Sequence, residues 1–144
     1  MILPDINLLV YAYNTGSPWH EAASQWWESS LTGRDTIGLA PAVALGFVRL
    51  LSSPKVVQRP VAPAILLSAV QDWLDTGRVK ILSPGVRHFQ LMRSLFGSTA
   101  AGGALCTDIH LAALALEHEA VLCTNDTDFQ RFEGLSLLNP LTGG

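Results

Sequence analysis

The chain has 144 residues, of which 49% are hydrophobic and 15% charged, with a net charge of −3. That length predicts one domain, residues 1–144, with enough interior to fold without disulfides or metals as staples. The charge gives no global basic excess of the kind that marks a nucleic-acid binder, and no apolar run reaches the roughly 18 residues needed to span a membrane.

Met1 to Pro4 is short and apolar, and reads as a first strand ending at Asp5. Pro4 fits only at a strand end. Ile6 to Tyr13 predicts a short helix capped by Asp5 or Asn7, and Asn14 to Pro18 a loop. Ser17 and Pro18 predict the start of a helix from Trp19 to about Leu31. Its tryptophans, Trp19, Trp26 and Trp27, sit at helical spacing and read as core or partner contacts.

Thr36 to Ala40 reads as a strand and Pro41 to Leu51 as a helix. Residues 55–63 form a loop with Pro60 and Pro63. Ala64 to Asp75 predicts a helix with Gly77 at C′, followed by a strand from Val79 to Leu82. Val86 to Phe96 predicts a helix, and Gly97 to Gly103 a flexible connection.

From Ile109 to Leu116 the only polar side chain is His110, which predicts a helix buried all round, with Thr107 or Asp108 as its N-cap. Ala120 to Cys123 reads as a buried strand, Thr127 to Phe132 as a short helix, and Leu135 to Leu138 as a last strand. Strands alternating with helices predict an α/β chain whose mainly parallel sheet is covered on both faces.

A helix of about 11 residues is roughly 16 Å long, and a strand of about five spans roughly 17 Å. If the strand returns antiparallel to the helix, Asp108 and Asp126 finish at one end. Asp5 follows the first strand, so all three acids point to the carboxyl edge, where ligands of such sheets bind. Singly, each acid is explained as a cap or turn residue. Together they repel by roughly 4 kcal/mol per pair at 4 Å and an effective dielectric near 20. A hard divalent cation, Mg²⁺ or Mn²⁺, removes that cost and can activate water.

Other chemistries lack their residues. The histidines are His20, His88, His110 and His118, with no zinc-binding spacing. His110 falls on a different helix face from Asp108 and reads as a solvated or satisfied side chain. No Asp or Glu occurs between Asp35 and Asp72, while Arg49, Lys55 and Arg59 fall inside that gap. This local basic segment is expected to hold phosphates near the acids. Cys106 and Cys123 both read as small buried thiols rather than a disulfide. The start carries Asp5 where a signal sequence should be apolar, so the expected compartment is the reducing cytoplasm.

The runs LPDINLL from Leu3, TDIHLAALALEHEAVLCTNDTDF from Thr107 and GLSLLNPL from Gly134 resemble the PIN domain, in particular the VapC toxins of VapBC toxin–antitoxin systems. The resemblance covers nearly the whole chain. It implies a three-layer α/β/α sandwich, a Mg²⁺- or Mn²⁺-dependent endoribonuclease acting on RNA, and inhibition by a cognate antitoxin. By position, Asp5, Asp108 and Asp126 match the metal-binding acids, Asp128 a supporting acid, and Asn7 a polar residue after the first acid.

One position departs. The resemblance implies a glutamate on the helix after the second strand, and Gly46 stands there. A degenerate PIN domain that binds RNA or antitoxin without cutting is therefore the alternative. A receiver-like signalling domain fits less well, because Asp5 stands alone and the only lysines are Lys55 and Lys80. The low charge density, with Trp19, Trp26, Trp27 and Phe47 on helix faces, predicts a protein partner and a homodimer.

Overall fold

The computed structural model describes residues 1–100 and 102–142. In chain order its elements are β1 Ile2–Pro4, α1 Ile6–Tyr13, α2 His20–Thr32, β2 Ile37–Leu39, α3 Pro41–Leu51, α4 Pro63–Asp75, β3 Val79–Ile81, α5 His88–Thr99, α6 Cys106–Glu117, β4 Val121–Cys123 and β5 Leu137–Leu138. Short 3₁₀ turns cover Gly103–Leu105 and Thr127–Arg131.

The sheet order is β3-β2-β1-β4-β5. Every pairing is parallel, with Leu3 opposite Leu122 and Gly38 opposite Lys80. Helices α1 to α4 pack on one another as one layer, and α5 packs on α6 in the other. The sheet between them is apolar on both sides, with Leu3, Ile37 and Leu122 fully buried. The three-layer α/β/α sandwich is therefore the observed fold. The chain first winds from β1 outward to β3, then returns to β4 on the other side of β1. Strand order reverses between β1 and β4, which makes the gap beyond their carboxyl ends the natural ligand crevice.

Several boundaries differ from the sequence expectation. α2 begins at His20, and its N-cap Trp19 makes no side-chain capping bond. Ser17 Oγ instead accepts from the Trp19 N–H at 3.1 Å, which holds the turn before the helix. α5 starts two residues later and continues through Gly97 to Thr99, so the expected flexible connection is mostly helix. Leu95 anchors this last turn in the core. Its carbonyl accepts the Thr99 hydroxyl at 2.8 Å. α6 starts at Cys106, so Thr107 and Asp108 lie in its first turn and do not cap it. Cys106 is exposed, correcting the buried reading, while Cys123 is buried; both thiols are free.

The aromatic side chains divide sharply. Tyr13, Trp27, Phe47 and Trp73 form a cluster with centroid spacings of 4.8–5.9 Å, and Trp73 Nε1 donates to the Tyr13 hydroxyl at 2.9 Å. Trp27 and Phe47 are thus core residues and offer nothing to a partner. The exposed apolar side chains are others, among them Leu45, Ile65, Ile81, Val86 and Phe89. Among the described residues, no helix is long and apolar enough to cross a membrane.

This division gives a stability test. Trp73→Ala should lower the free energy of unfolding by about 3–5 kcal/mol. Trp19→Ala should change it by about 0.5 kcal/mol or less. Urea denaturation of both variants measures the contrast.

Candidate acidic active site

The site begins with a backbone bond. The Asp5 N–H donates to the Cys123 carbonyl at 2.9 Å, extending the β1–β4 ladder by one residue past the strands. That bond draws the side chain of Asp5 inward, where it is only 5% exposed. Its Oδ1 accepts from the Ile6 N–H at 2.7 Å. Its Oδ2 accepts from the Thr124 hydroxyl at 2.8 Å. The same Thr124 oxygen accepts from the Asp126 N–H at 3.0 Å, so one buried hydroxyl joins the ends of β1 and β4. Asp126 then caps the 3₁₀ turn, accepting from the Asp128 N–H at 2.9 Å.

Asp108 reaches this edge from α6, which runs antiparallel to β4. Burial raises its pKa, and Asp126 and Asp128 raise it further while Arg131 lowers it. Burial likewise pushes Asp5 up to about 6; the Thr124 and Ile6 hydrogen bonds oppose this, and Asp108 and Asp126 add to it. Asp5 therefore feels the charges of Asp108 and Asp126, and Asp108 that of Asp126, across a single edge. They do so without a closed cluster: among the described residues, no three His, Cys, Asp or Glu side chains stand close enough to form a metal-binding group. The donor chemistry nevertheless fits a hard cation. The converging groups are all carboxylates, and their repulsion is what a divalent ion would relieve.

Other expected residues fall elsewhere. Asn7 is exposed in the first turn of α1, beside Asp5. Asp128 is on the rim, where its Oδ1 accepts from Arg131 Nη2 at 3.3 Å. Arg49 lies on the last turn of α3, one turn past Gly46. Arg59 lines a cavity with Tyr13 and Asn14 at the far end of α1, about 12 Å along that helix from Asp5. Lys55 belongs to the same exposed loop. The basic segment is therefore not gathered at the acids.

Gly46 lies against Ile6, the residue after Asp5. It is buried, and a Cβ there would stand 2.7 Å from Ile6 Cδ1 and 3.2 Å from Ile6 Cγ1 and Cγ2. The side chain following Asp5 thus fills the space that a larger residue at 46 would enter.

Two features escape sequence reading. Thr124 is one; its signal was a hydroxyl two residues before the acid that follows a strand. The other is a histidine pair, in which fully buried His88 meets His110 with Nε2 2.8 Å from Nδ1. This explains His110 as a partnered side chain linking α5 to α6.

Comparison with known proteins matches the PIN domain family model to residues 2–135. Ribonuclease VapC33 of Mycobacterium tuberculosis is 38% identical over 141 residues, covering 98% of this chain and 99% of the relative. Ribonuclease VapC37 of the same organism is 37% identical over 135 residues, 94% of each chain. Among solved structures, VapBC2 from Rickettsia felis, bound to a DNA fragment from its promoter, superposes with a TM-score of 0.69 at 22% identity, covering 96% of this chain and 98% of that one.

Two predictions follow from the buried acid and its neighbour. Folded Asp5 keeps its proton to about pH 6, against its ordinary value of 3.8. Between those values the folded state binds more protons, so stability falls as pH rises, and the whole penalty stands above pH 6. With chelator present, Asp5→Asn should stabilise the protein at pH 7.5 by on the order of 3 kcal/mol, and progressively less as pH falls toward 4. Denaturation at several pH values measures this.

Gly46→Ala should be destabilising by about 1–3 kcal/mol through overpacking, less the roughly 0.5–1 kcal/mol that alanine gains in a helix. Combined with Ile6→Ala, the loss should be smaller than the sum of the two single losses by about 1 kcal/mol. A double-mutant cycle reads that coupling.

Proposed function

This chain belongs to the PIN domain family, and on that premise we propose that it is a toxin of the VapC type, an endoribonuclease that cuts RNA phosphodiester bonds. The observation that supports this reading is that Asp108 and Asp126 add to the raised pKa of Asp5 at the edge where strand order reverses. The names and near-complete coverage of the VapC relatives support the activity.

Asp5, Asp108 and Asp126 would hold Mg²⁺ or Mn²⁺, with Asp128 in support. When bound, such an ion lowers the pKa of water and offsets the charge on a phosphodiester. The chain's own residues prepare the place. Thr124 fixes Asp5 and the Asp126 backbone relative to each other through one hydroxyl. Ile6 packs over Gly46 and keeps that side of Asp5 apolar. Arg131 steadies Asp128 at the rim, where RNA would enter. Arg49, on the last turn of α3, would meet a phosphate of the RNA away from the acids. Lys55 and Arg59 would meet RNA only farther along, and Asn7 would contact it beside Asp5.

The same reading gives the chain an antitoxin partner and a homodimer in the cytoplasm. The exposed side chains Leu45, Ile81 and Phe89 support a protein contact. Gly46 favours one second reading, a PIN domain that binds RNA or antitoxin without cutting, since it removes one carboxylate from the family pattern.

RNA cleavage with Mg²⁺ or Mn²⁺ should be lost with chelator, and should fall by about 100-fold or more in Asp5→Asn, as when one essential charged group is removed from a catalytic site. Equal cleavage by both proteins would sink the assignment. RNA binding without metal-dependent turnover would favour the second reading.

A further inference from the structure

Beside the acids lies a second feature that the cutting chemistry does not use. A cavity of about 330 Å³ opens next to Thr124 and Asp126, between the end of β4, the 3₁₀ turn and β5. Its size is at the small end of ligand pockets, about 300–1,000 Å³. Leu137 and Leu138 give it an apolar wall, and Asn125, Gln130 and Asn139 give it carboxamides. An apolar wall edged by hydrogen-bonding amides has the chemistry to contact a nucleobase and read its edge.

The amides are not interchangeable. The Leu141 N–H lies 3.0 Å from Asn139 Oδ1. A peptide N–H only donates, so the oxygen of Asn139 must face it. The NH₂ of Asn139 then points the other way and donates to Asn125 Oδ1 at 2.9 Å. That bond in turn turns the Asn125 oxygen away from any ligand. The free end of Asn125 is its NH₂ group, which has no partner among the described residues. The β4–β5 pairing holds the couple in place, with the Thr124 N–H donating to the Leu138 carbonyl at 3.0 Å.

We propose that this cavity receives one base of the RNA substrate and selects bases that place a carbonyl oxygen, rather than an amino group, against the NH₂ of Asn125. The proposal rests on the ribonuclease reading of the acidic site. Guanine presents acceptors at both O6 and N7, and uracil presents O4. Adenine keeps N7 but places an amino donor where guanine has O6, and cytosine places one where uracil has O4, so either amino group would meet the NH₂ of Asn125 donor to donor. Thr124 and Asp126 belong to both the cavity and the acidic site, so the base read is that of a nucleotide next to the cut phosphate.

The test is cleavage of a random-sequence RNA pool with Mn²⁺, followed by sequencing of the cut ends. Wild type should favour guanine or uracil at one fixed position from the cut. Asn125→Asp replaces the free NH₂ with an acceptor, and the ratio of guanine and uracil to adenine and cytosine there should fall by about 10-fold or more. Asn139→Asp keeps an acceptor for Leu141 but turns a carboxylate oxygen toward Asn125. Asn125 should then reverse its amide, present its oxygen to the cavity and shift the ratio in the same direction. The ratio is indifferent to a general loss of activity, and either variant suffices if the other does not fold. Metal-dependent cleavage with no base preference, or with one that neither variant moves toward adenine and cytosine, overturns the base site and leaves the ribonuclease standing. Cleavage that is absent, or equal in an Asp5→Asn control, overturns the ribonuclease reading and the base site with it.

Discussion

Parallel pairing of β1 with β4 is the constraint from which the rest follows. These two strands meet where the order of the sheet reverses, so no helix can cover the space beyond both carboxyl ends. The Asp5 N–H bonds across that space to Cys123, which carries the first acid into the interior instead of leaving it in water. A carboxylate so placed is costly to ionise. Its two hydrogen bonds, from Ile6 and Thr124, lessen the cost without cancelling it, and Asp5 remains raised to about 6. The fold thus holds a group whose natural relief is a positive charge.

Helix α6 meets the same constraint from the other layer. It is apolar nearly all round because it is packed against the sheet on one side and α5 on the other. A helix like that has one place for a working carboxylate, its first turn at the edge. Asp108 is there. Farther along the helix, His110 is tolerated because His88 gives its Nδ1 a hydrogen-bond partner. On the opposite layer, Ile6 and Gly46 show the limit of this economy. The two residues interlock where α1 meets α3, so side-chain volume beside Asp5 is fixed by packing as much as by chemistry.

Charge and shape are then divided between neighbouring features. The acids deal with a phosphodiester, which every nucleotide carries and which holds no sequence information. The carboxamides beyond Thr124 are oriented by a backbone N–H and present a defined edge. Thr124 stands between the two and serves both.

Much of this was legible in the residues. The alternation of apolar runs with helical periods gave the α/β class, and the apolar stretch 109–116 gave the buried helix, because both depend on local pattern alone. Acids at strand and helix ends gave the candidate edge, because parallel topology sends those ends to one side. Other features depended on contacts between distant parts of the chain. Cys106 and the start of α6 were misread because an apolar neighbourhood in sequence became an exposed turn in space. Trp27 read as either a core or a partner contact and Phe47 as part of a partner-facing helix surface, and only Trp73, from another helix, places both in the core. The basic run read as one patch because its residues are close in sequence, yet α3 carries its members away from the acids as it travels down the sheet. Thr124 and the Asn125–Asn139 couple were invisible because a hydroxyl or an amide takes its role from its partner, and those partners lie 119 and 14 residues away. Sequence determined which elements form and which ends carry charge, since those follow from neighbours along the chain. Only the tertiary structure decided which polar groups are buried, paired or left free, since that depends on what the fold brings beside them.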